Sequence, residues 1–165
     1  MPDIGISYIK VNDDDPMFIW PHQVSRKWCS RWLALAQNVA EWSKDPSTKV
    51  GATIFRKDNT PISFGYNGLP RNVRDTEDRL QNREVKYKLT VHAEANAILN
   101  AAKSGASLNG AVIAVTHPPC PNCAAMIIQA GISTVVVSEV KDFDRWDPEL
   151  SFSILKEAGV NVITI

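Results

Sequence analysis

Apolar residues recur three or four positions apart between 25 and 41, at Trp28, Trp32, Leu35, Ala36 and Val39. That spacing lines one face of a helix, so the pattern predicts an amphipathic helix over 25–41. Ser43, Lys44, Asp45, Pro46 and Ser47 break it. The short apolar run 50–55 reads as a buried strand. Asp58 and Asn59 make 57–60 a turn, and 61–66 is the returning strand. The pattern then lapses, because 67–88 is long, polar and rich in charge, and such stretches in compact domains are often functional. It resumes with an alanine-rich helix over 93–102, a strand over 111–116 and a loop over 117–120. The next helix, 121–130, has Pro121 at its first position, where proline is favoured, and Gly131 closes it. A valine-rich strand over 134–137, a helix over 148–158 stopped by Gly159, and a strand over 160–165 complete the chain. One helix, two strands and three helix–strand units predict an α/β domain, with a mainly parallel sheet covered by helices on both faces. Residues 1–22, with acidic residues at 13–15 and prolines at 16 and 21, read as an N-terminal arm. That leaves 23–165 as the domain.

Composition narrows the function classes. The chain has 165 residues, 44% of them hydrophobic, which suits one domain with a real core. Lys plus Arg and Asp plus Glu number 18 each, so the net charge is zero. A neutral chain has no global footprint for long nucleic acid, but it leaves room for a local cationic pocket that holds one phosphate. No apolar stretch approaches the roughly 20 residues that span a membrane, and the first residues do not read as a signal peptide. The expectation is a soluble cytoplasmic protein. The three cysteines do not form a disulfide framework. Two are spaced Cys-x-x-Cys, which suggests a metal or redox pair in a reducing compartment. Cys29 lies on the first helix and is most simply a buried apolar residue. His22 reads as surface, and His117 as a loop residue rather than a ligand.

The chemistry concentrates in His92-Ala93-Glu94 and Pro119-Cys120-Pro121-Asn122-Cys123. Zinc favours four nitrogen and sulfur ligands in structural sites, and a catalytic site keeps one position for water. His92, Cys120 and Cys123 supply three, which points to catalysis. Inside a regular helix, residues i and i+2 point about 200° apart. His92 and Glu94 therefore converge best if His92 stands just before the helix in non-helical geometry. Cys120 and Cys123 begin another helix, three residues apart on one side, where the electropositive terminus favours thiolates. A zinc-activated water needs a proton shuttle to reach a leaving amine, and Glu94 is the acid placed for it. His-x-Glu followed by Pro-Cys-x-x-Cys is the signature of zinc deaminases. Taken singly, the Cys-x-x-Cys pair would suit a redox centre or half a structural zinc site. A redox pair, however, has no need of His-Ala-Glu.

From about Trp32 to Ile165 the chain resembles the deoxycytidylate (dCMP) deaminases of the cytidine deaminase superfamily. The resemblance rests on Ser43-Lys44-Asp45-Pro46-Ser47, Val50-Gly51-Ala52, Gly65-Tyr66-Asn67-Gly68-Leu69-Pro70, His92-Ala93-Glu94-Ala95-Asn96-Ala97-Ile98, and Pro119-Cys120-Pro121-Asn122-Cys123. It implies a three-layer α/β/α fold with a five-stranded mixed sheet. The implied reaction is hydrolysis of dCMP to dUMP and ammonia, which supplies dUMP for thymidylate synthesis. Asn67 would then bond the sugar or base, with Gly51, Ala52, Ala93 and Pro119 around the substrate. Ser43, Lys44, Ser47 and Lys49 would lie near the monophosphate. It further implies a homohexamer activated by dCTP and inhibited by dTTP. Tyr66, Asn67 and Gly68 would lie between substrate and effector, Mg(2+) would accompany a triphosphate effector, and Lys103 would be on the helix that packs between subunits.

The chain departs from that pattern in places. Some relatives hold a second zinc with Cys and His in the insertion before the His-Ala-Glu motif. Residues 71–91 contain neither, so one zinc per chain is expected. The segment 141–148, with Phe143 and Trp146, is also unusual. Two other functions compete. A tRNA adenosine deaminase shares both motifs but usually needs a basic face, and a non-catalytic zinc scaffold would have no need of Glu94. A cytidine deaminase would usually carry Cys-Ala-Glu.

Overall fold

In the computed structural model, residues 17–19, 22–138 and 147–165 are described. Strands β1 (Met17–Ile19) and β2 (His22–Val24) form an antiparallel ribbon. The sequence pattern had not separated this ribbon from the arm. The rest of the arm, with the acidic residues at 13–15, lies outside the described residues, as do the His22 side chain and residues 139–146 with Phe143 and Trp146.

Helix α1 spans Arg26–Ala40, and the Ser25 side chain caps it by accepting from the Trp28 N–H. The hairpin β3 (Gly51–Phe55) and β4 (Pro61–Tyr66) follows, turning at Asn59 with φ 69°. Helix α4 (Ala93–Lys103), strand β5 (Val112–Val115), helix α5 (Pro121–Gln129), strand β6 (Thr134–Val137), helix α6 (Pro148–Glu157) and strand β7 (Asn161–Thr164) complete the order. Between β4 and α4, the long polar stretch where the pattern lapses carries two short helices, α2 (Glu77–Gln81) and α3 (Arg83–Leu89). The Asn82 side chain caps α3 by accepting from the N–H groups of Glu84 and Val85. A two-bond bridge between Gly68 and Val91 pins the base of this excursion.

The main sheet has the order β4-β3-β5-β6-β7. It is mixed, and the expectation of a mainly parallel sheet is corrected. The pairs β3–β4 and β3–β5 are antiparallel, while β5–β6 and β6–β7 are parallel. The reason is in the connections. A short turn can only return a strand antiparallel, whereas α5 and α6 carry the chain back to start each parallel neighbour.

Alternate residues of each central strand serve opposite faces. Val112 and Ala114 of β5, Val136 of β6 and Ile163 of β7 pack with Cys29, Trp32 and Phe55 under α1. Ile113 and Val115, Val135 and Val137 pack on the other face with α4, α5 and α6. Trp32 stacks on Phe55 with ring centroids 5.3 Å apart. Cys29 is fully buried here, and burial pushes its thiol up to about 12.

Two glycines set how closely helices approach the sheet. A Cβ on Gly51 would stand 2.0 Å from the Ala36 carbonyl oxygen, and one on Gly65 would stand 2.2 Å from that of Ala93. Gly51 therefore seats α1 and Gly65 seats the first turn of α4. The N-termini of α4 and α5, which carry the chemical motifs, lie on the same face of the sheet, where the two helices pack against each other.

Candidate metal and active site

His92 is the N-cap of α4, with φ −68° and ψ 156°, so it is extended while the next residue is helical. That resolves the i, i+2 problem noted from spacing. Cys120 is likewise the N-cap of α5, and Cys123 lies in its first turn. His92, Cys120 and Cys123 bring their ligand atoms within 4.8 Å of one another. They form the one such His/Cys/Asp/Glu group found among the described residues. His92 Nδ1 lies 3.5 Å from Cys120 Sγ and 3.4 Å from Cys123 Sγ. A tetrahedral zinc, with bonds of about 2.3 Å to sulfur and about 2.0–2.1 Å to nitrogen, sets these atoms about 3.6 Å apart. The donor set therefore fits zinc in both chemistry and spacing.

Electrostatics agree. The Cys123 thiol donates to Cys120 and, together with the His92 ring, draws the Cys120 thiol down to about 4 against the opposing effect of burial. Cys123, as the donor, is pushed up by that bond, by burial and by Glu94. The bond with Cys120 raises His92, against burial. Cys120 thus favours the thiolate, and a metal held by His92, Cys120 and Cys123 would displace the proton that the two thiols share.

Glu94 sits in the first turn of α4 and is 4% exposed. Burial pushes its carboxyl up to about 7, opposed by its own backbone N–H and the His92 ring. A carboxyl with that affinity both takes and gives a proton near neutral pH.

These groups open onto a cavity of about 380 Å³, within the range of small-ligand sites. Its wall includes Ala93, His92, Glu94 and Cys120 from the two helix starts and His117 and Pro118 from the loop before α5. Asp45, Ser47, Thr48, Val50 and Asn67 also line it, as do Leu80, Gln81, Arg83, Lys86, Tyr87 and Thr90 from the excursion.

Of the residues singled out from the sequence for substrate, Asn67, Ala93 and Ser47 line this cavity. Asn67 is also a brace: its Oδ1 accepts from the Val50 N–H, its Nδ2 donates to the Thr48 carbonyl, and its own carbonyl accepts from the Ser43 hydroxyl. Ser43 is buried in that bracing and is not part of the wall. Lys44 and Lys49 are turned elsewhere, to Asp75 at 2.7 Å and Glu41 at 3.2 Å. Gly51 and Ala52 lie behind the wall. The close approach at Gly51 is to α1, and Ala52 is packed in the core between β3 and α4. Pro119 is buried beside the wall, where Pro118 takes the lining position. Tyr66 stands outside the cavity, edge-on to Trp42 at 6.1 Å, and Gly68 is in the bridge to Val91. His117, read as a loop residue, does line the cavity.

Sequence reasoning missed Thr48, Arg83, Lys86, Tyr87 and Thr90. The charge density of 71–91 was visible, but only the packing of α3 shows which of its residues turn inward.

Residues 26–139 match the family described as the cytidine and deoxycytidylate deaminase zinc-binding region. A deaminase from the luxG 3′ region of Aliivibrio fischeri is 49% identical over 140 residues, covering 82% of this chain and 92% of that one. The deoxycytidylate deaminase of Mus musculus is 37% identical over 142 residues, covering 81% and 77%. The crystal structure of the dCMP deaminase of cyanophage S-TIM5 in complex with dCMP and dUMP superposes with a TM-score of 0.71. It is 28% identical, and the match covers 87% of this chain and all of that one. Fold and donor set are those of a metal-dependent α/β enzyme. The chain belongs to the family of cytidine and deoxycytidylate deaminases with this zinc-binding region.

Proposed function

We propose that the enzyme hydrolyses dCMP to dUMP and ammonia, with Glu94 moving the protons. The observation that carries this reading is the convergence of His92 Nδ1, Cys120 Sγ and Cys123 Sγ beside a buried Glu94, in a cavity of nucleotide scale. Relatives that bear the deoxycytidylate deaminase name, and a related structure that holds dCMP and dUMP, support the choice of substrate.

His92, Cys120 and Cys123 would hold the metal, and zinc there supplies Lewis acidity that makes a water acidic near neutral pH. Glu94 takes a proton from the attacking water and delivers it to N3 of the cytosine ring. The second proton of that water follows the same carboxyl to the amino group, which leaves as ammonia. The backbone at Ala93 and the Asn67-braced segment 47–50 bound the base and sugar. Ser47 contributes a hydroxyl to the same wall.

The reading extends to regulation by dCTP with Mg(2+) and by dTTP and to a homohexamer, which rest on the family resemblance, and to a cytoplasmic location, which rests on the Cys-x-x-Cys spacing as a metal pair in a reducing compartment. The exposed pair of Tyr66 and Trp42, beside Asn67 and Gly68, offers a surface for an effector. Among the described residues, no helix is long and apolar enough to cross a membrane.

The test measures ammonia released by the zinc-loaded protein from dCMP, dCTP, deoxycytidine, CMP and a tRNA anticodon stem-loop, with and without dCTP and dTTP. Preference for dCMP is expected, and preference for any other substrate overturns the reading. Glu94→Gln should keep its zinc and lose turnover by at least about 10²-fold. Undiminished turnover in that variant refutes the role of Glu94.

A further inference from the structure

Lys86 is the unusual residue of the excursion. It is a lysine on a short surface helix, yet its side chain is only 7% exposed. Its ammonium donates to Asp45 Oδ1 and Ser47 Oγ, both at 3.0 Å. Lysine carries three N–H donors. The third has no acceptor among the described residues, and Lys86 lines the cavity that holds Glu94. Asp45 is itself fixed, since its Oδ1 accepts from the N–H groups of Ser47 and Thr48 at 2.8 and 3.1 Å. The ammonium is therefore held between a fixed carboxylate and the Ser47 hydroxyl. The other cationic side chain on the wall, Arg83, is held over the Tyr87 ring at 5.2 Å. Charge sets what this corner accepts. Asp45 and Lys86 cancel, Arg83 leaves an excess of one positive charge, and the remaining Lys86 N–H and the Ser47 hydroxyl are hydrogen-bonding groups. A multiply charged oxyanion uses all of these, and a neutral sugar does not.

We propose that Lys86, with Arg83 and Ser47, seats the substrate's 5′-phosphate, and that the 71–91 excursion thereby selects a nucleoside monophosphate over the free nucleoside. This rests on the reading of the cavity as the deaminase active site. Lys44 and Lys49, the cations the sequence suggested for this task, are committed to Asp75 and Glu41 outside the wall. Asp45 acts as a positioning residue that aims the ammonium.

A purely structural ion pair between α3 and the 45–48 loop is the rival account, and the test separates the two. The zinc-loaded wild type, Lys86→Met, and the paired variant Asp45→Asn/Lys86→Met are compared. The paired variant removes both charges, so no lone carboxylate is left buried. Titration calorimetry measures dUMP and deoxyuridine binding, and steady-state kinetics compare dCMP with deoxycytidine. Both variants should lose at least about tenfold in dUMP affinity, while deoxyuridine changes by less than about twofold. KM for dCMP should rise with little change in kcat, and Lys86→Arg should restore part of the loss. Equal losses for monophosphate and nucleoside, or an unchanged ratio between them, overturn the proposal. Failure of the substrate reading looks different. A wild type that prefers CMP to dCMP refutes the dCMP assignment, yet Lys86→Met would still cost each monophosphate more than its nucleoside.

Discussion

Gly65→Ala should disable the enzyme from a position with no part in the chemistry. Gly65 is on β4, paired with Ala52 of β3, and faces α4. Its added Cβ would lie 2.2 Å from the Ala93 carbonyl oxygen and 2.3 Å from the Ala97 N–H nitrogen, where ordinary contact begins near 3.4 Å. Both obstacles are backbone atoms, so no rotamer change relieves them, and the first turn of α4 must retreat by about 1 Å. Overpacking of this kind costs about 3 kcal/mol, at the upper end of the usual range. In a chain of this length that lowers the Tm by about 6–12 °C. The displaced turn begins at His92 and contains Glu94, and a misplacement of about 1 Å at a reacting group costs about 10²-fold in turnover. The control is Gly51→Ala, whose Cβ meets the Ala36 carbonyl oxygen at 2.0 Å and pushes instead on α1, which carries no metal ligand. Both variants should melt early in thermal denaturation. At a temperature where each is folded, zinc competition against a chromogenic chelator and initial-rate kinetics should separate them. Gly65→Ala should lose zinc affinity and kcat, and Gly51→Ala should keep both. Equal kcat in the two variants would refute the claim that Gly65 positions the active site.

Two further outcomes follow from buried groups. Burial would raise the Asp45 carboxyl, but the Ser47 and Thr48 N–H groups and the Lys86 ammonium outweigh it and hold it below its ordinary value. The stabilisation it brings is therefore complete above about pH 4 and lost as pH falls through the lower folded value. Urea denaturation at a series of acidic pH values should show a shallower acid limb in Asp45→Asn, and an identical limb counts against the pairing. The Cys29 thiol, raised to about 12 by burial, is protonated and shielded under α1. Mass spectrometry after iodoacetamide treatment at pH 8 should find Cys29 modified only when denaturant unfolds the chain. Modification in the native state would show that α1 opens locally.

The long elements were legible in the chain because burial imposes period on sequence. The 3–4 spacing of Trp28, Trp32, Ala36 and Val39 places the core face of α1, and the valine run 134–137 places a central strand buried on both faces. The helices inside 71–91 were not legible. They are short, polar and stabilised by a cap at Asn82 and a bridge at Gly68–Val91, neither of which leaves a hydrophobic period. Strand direction was half legible, since a turn at Asp58–Asn59 dictates an antiparallel hairpin. The antiparallel pairing of β3 with β5, however, depends on where the sheet accepts the returning chain.

What the sequence determined by itself was the set of residues that meet at the candidate metal site. His92, Glu94, Cys120 and Cys123 are named by residue type, spacing and the helix-start signals around them, all of which act within a few residues. Tertiary structure alone decided which cations face the cavity. Lys44, Lys49 and Lys86 are chemically alike in sequence. Two are turned to surface carboxylates, and one is buried beside Asp45 and Ser47 from a segment about 40 residues earlier. Where a charged side chain points is set by its nearest acceptor and by the packing of the helix that carries it, and both arise only when distant segments meet.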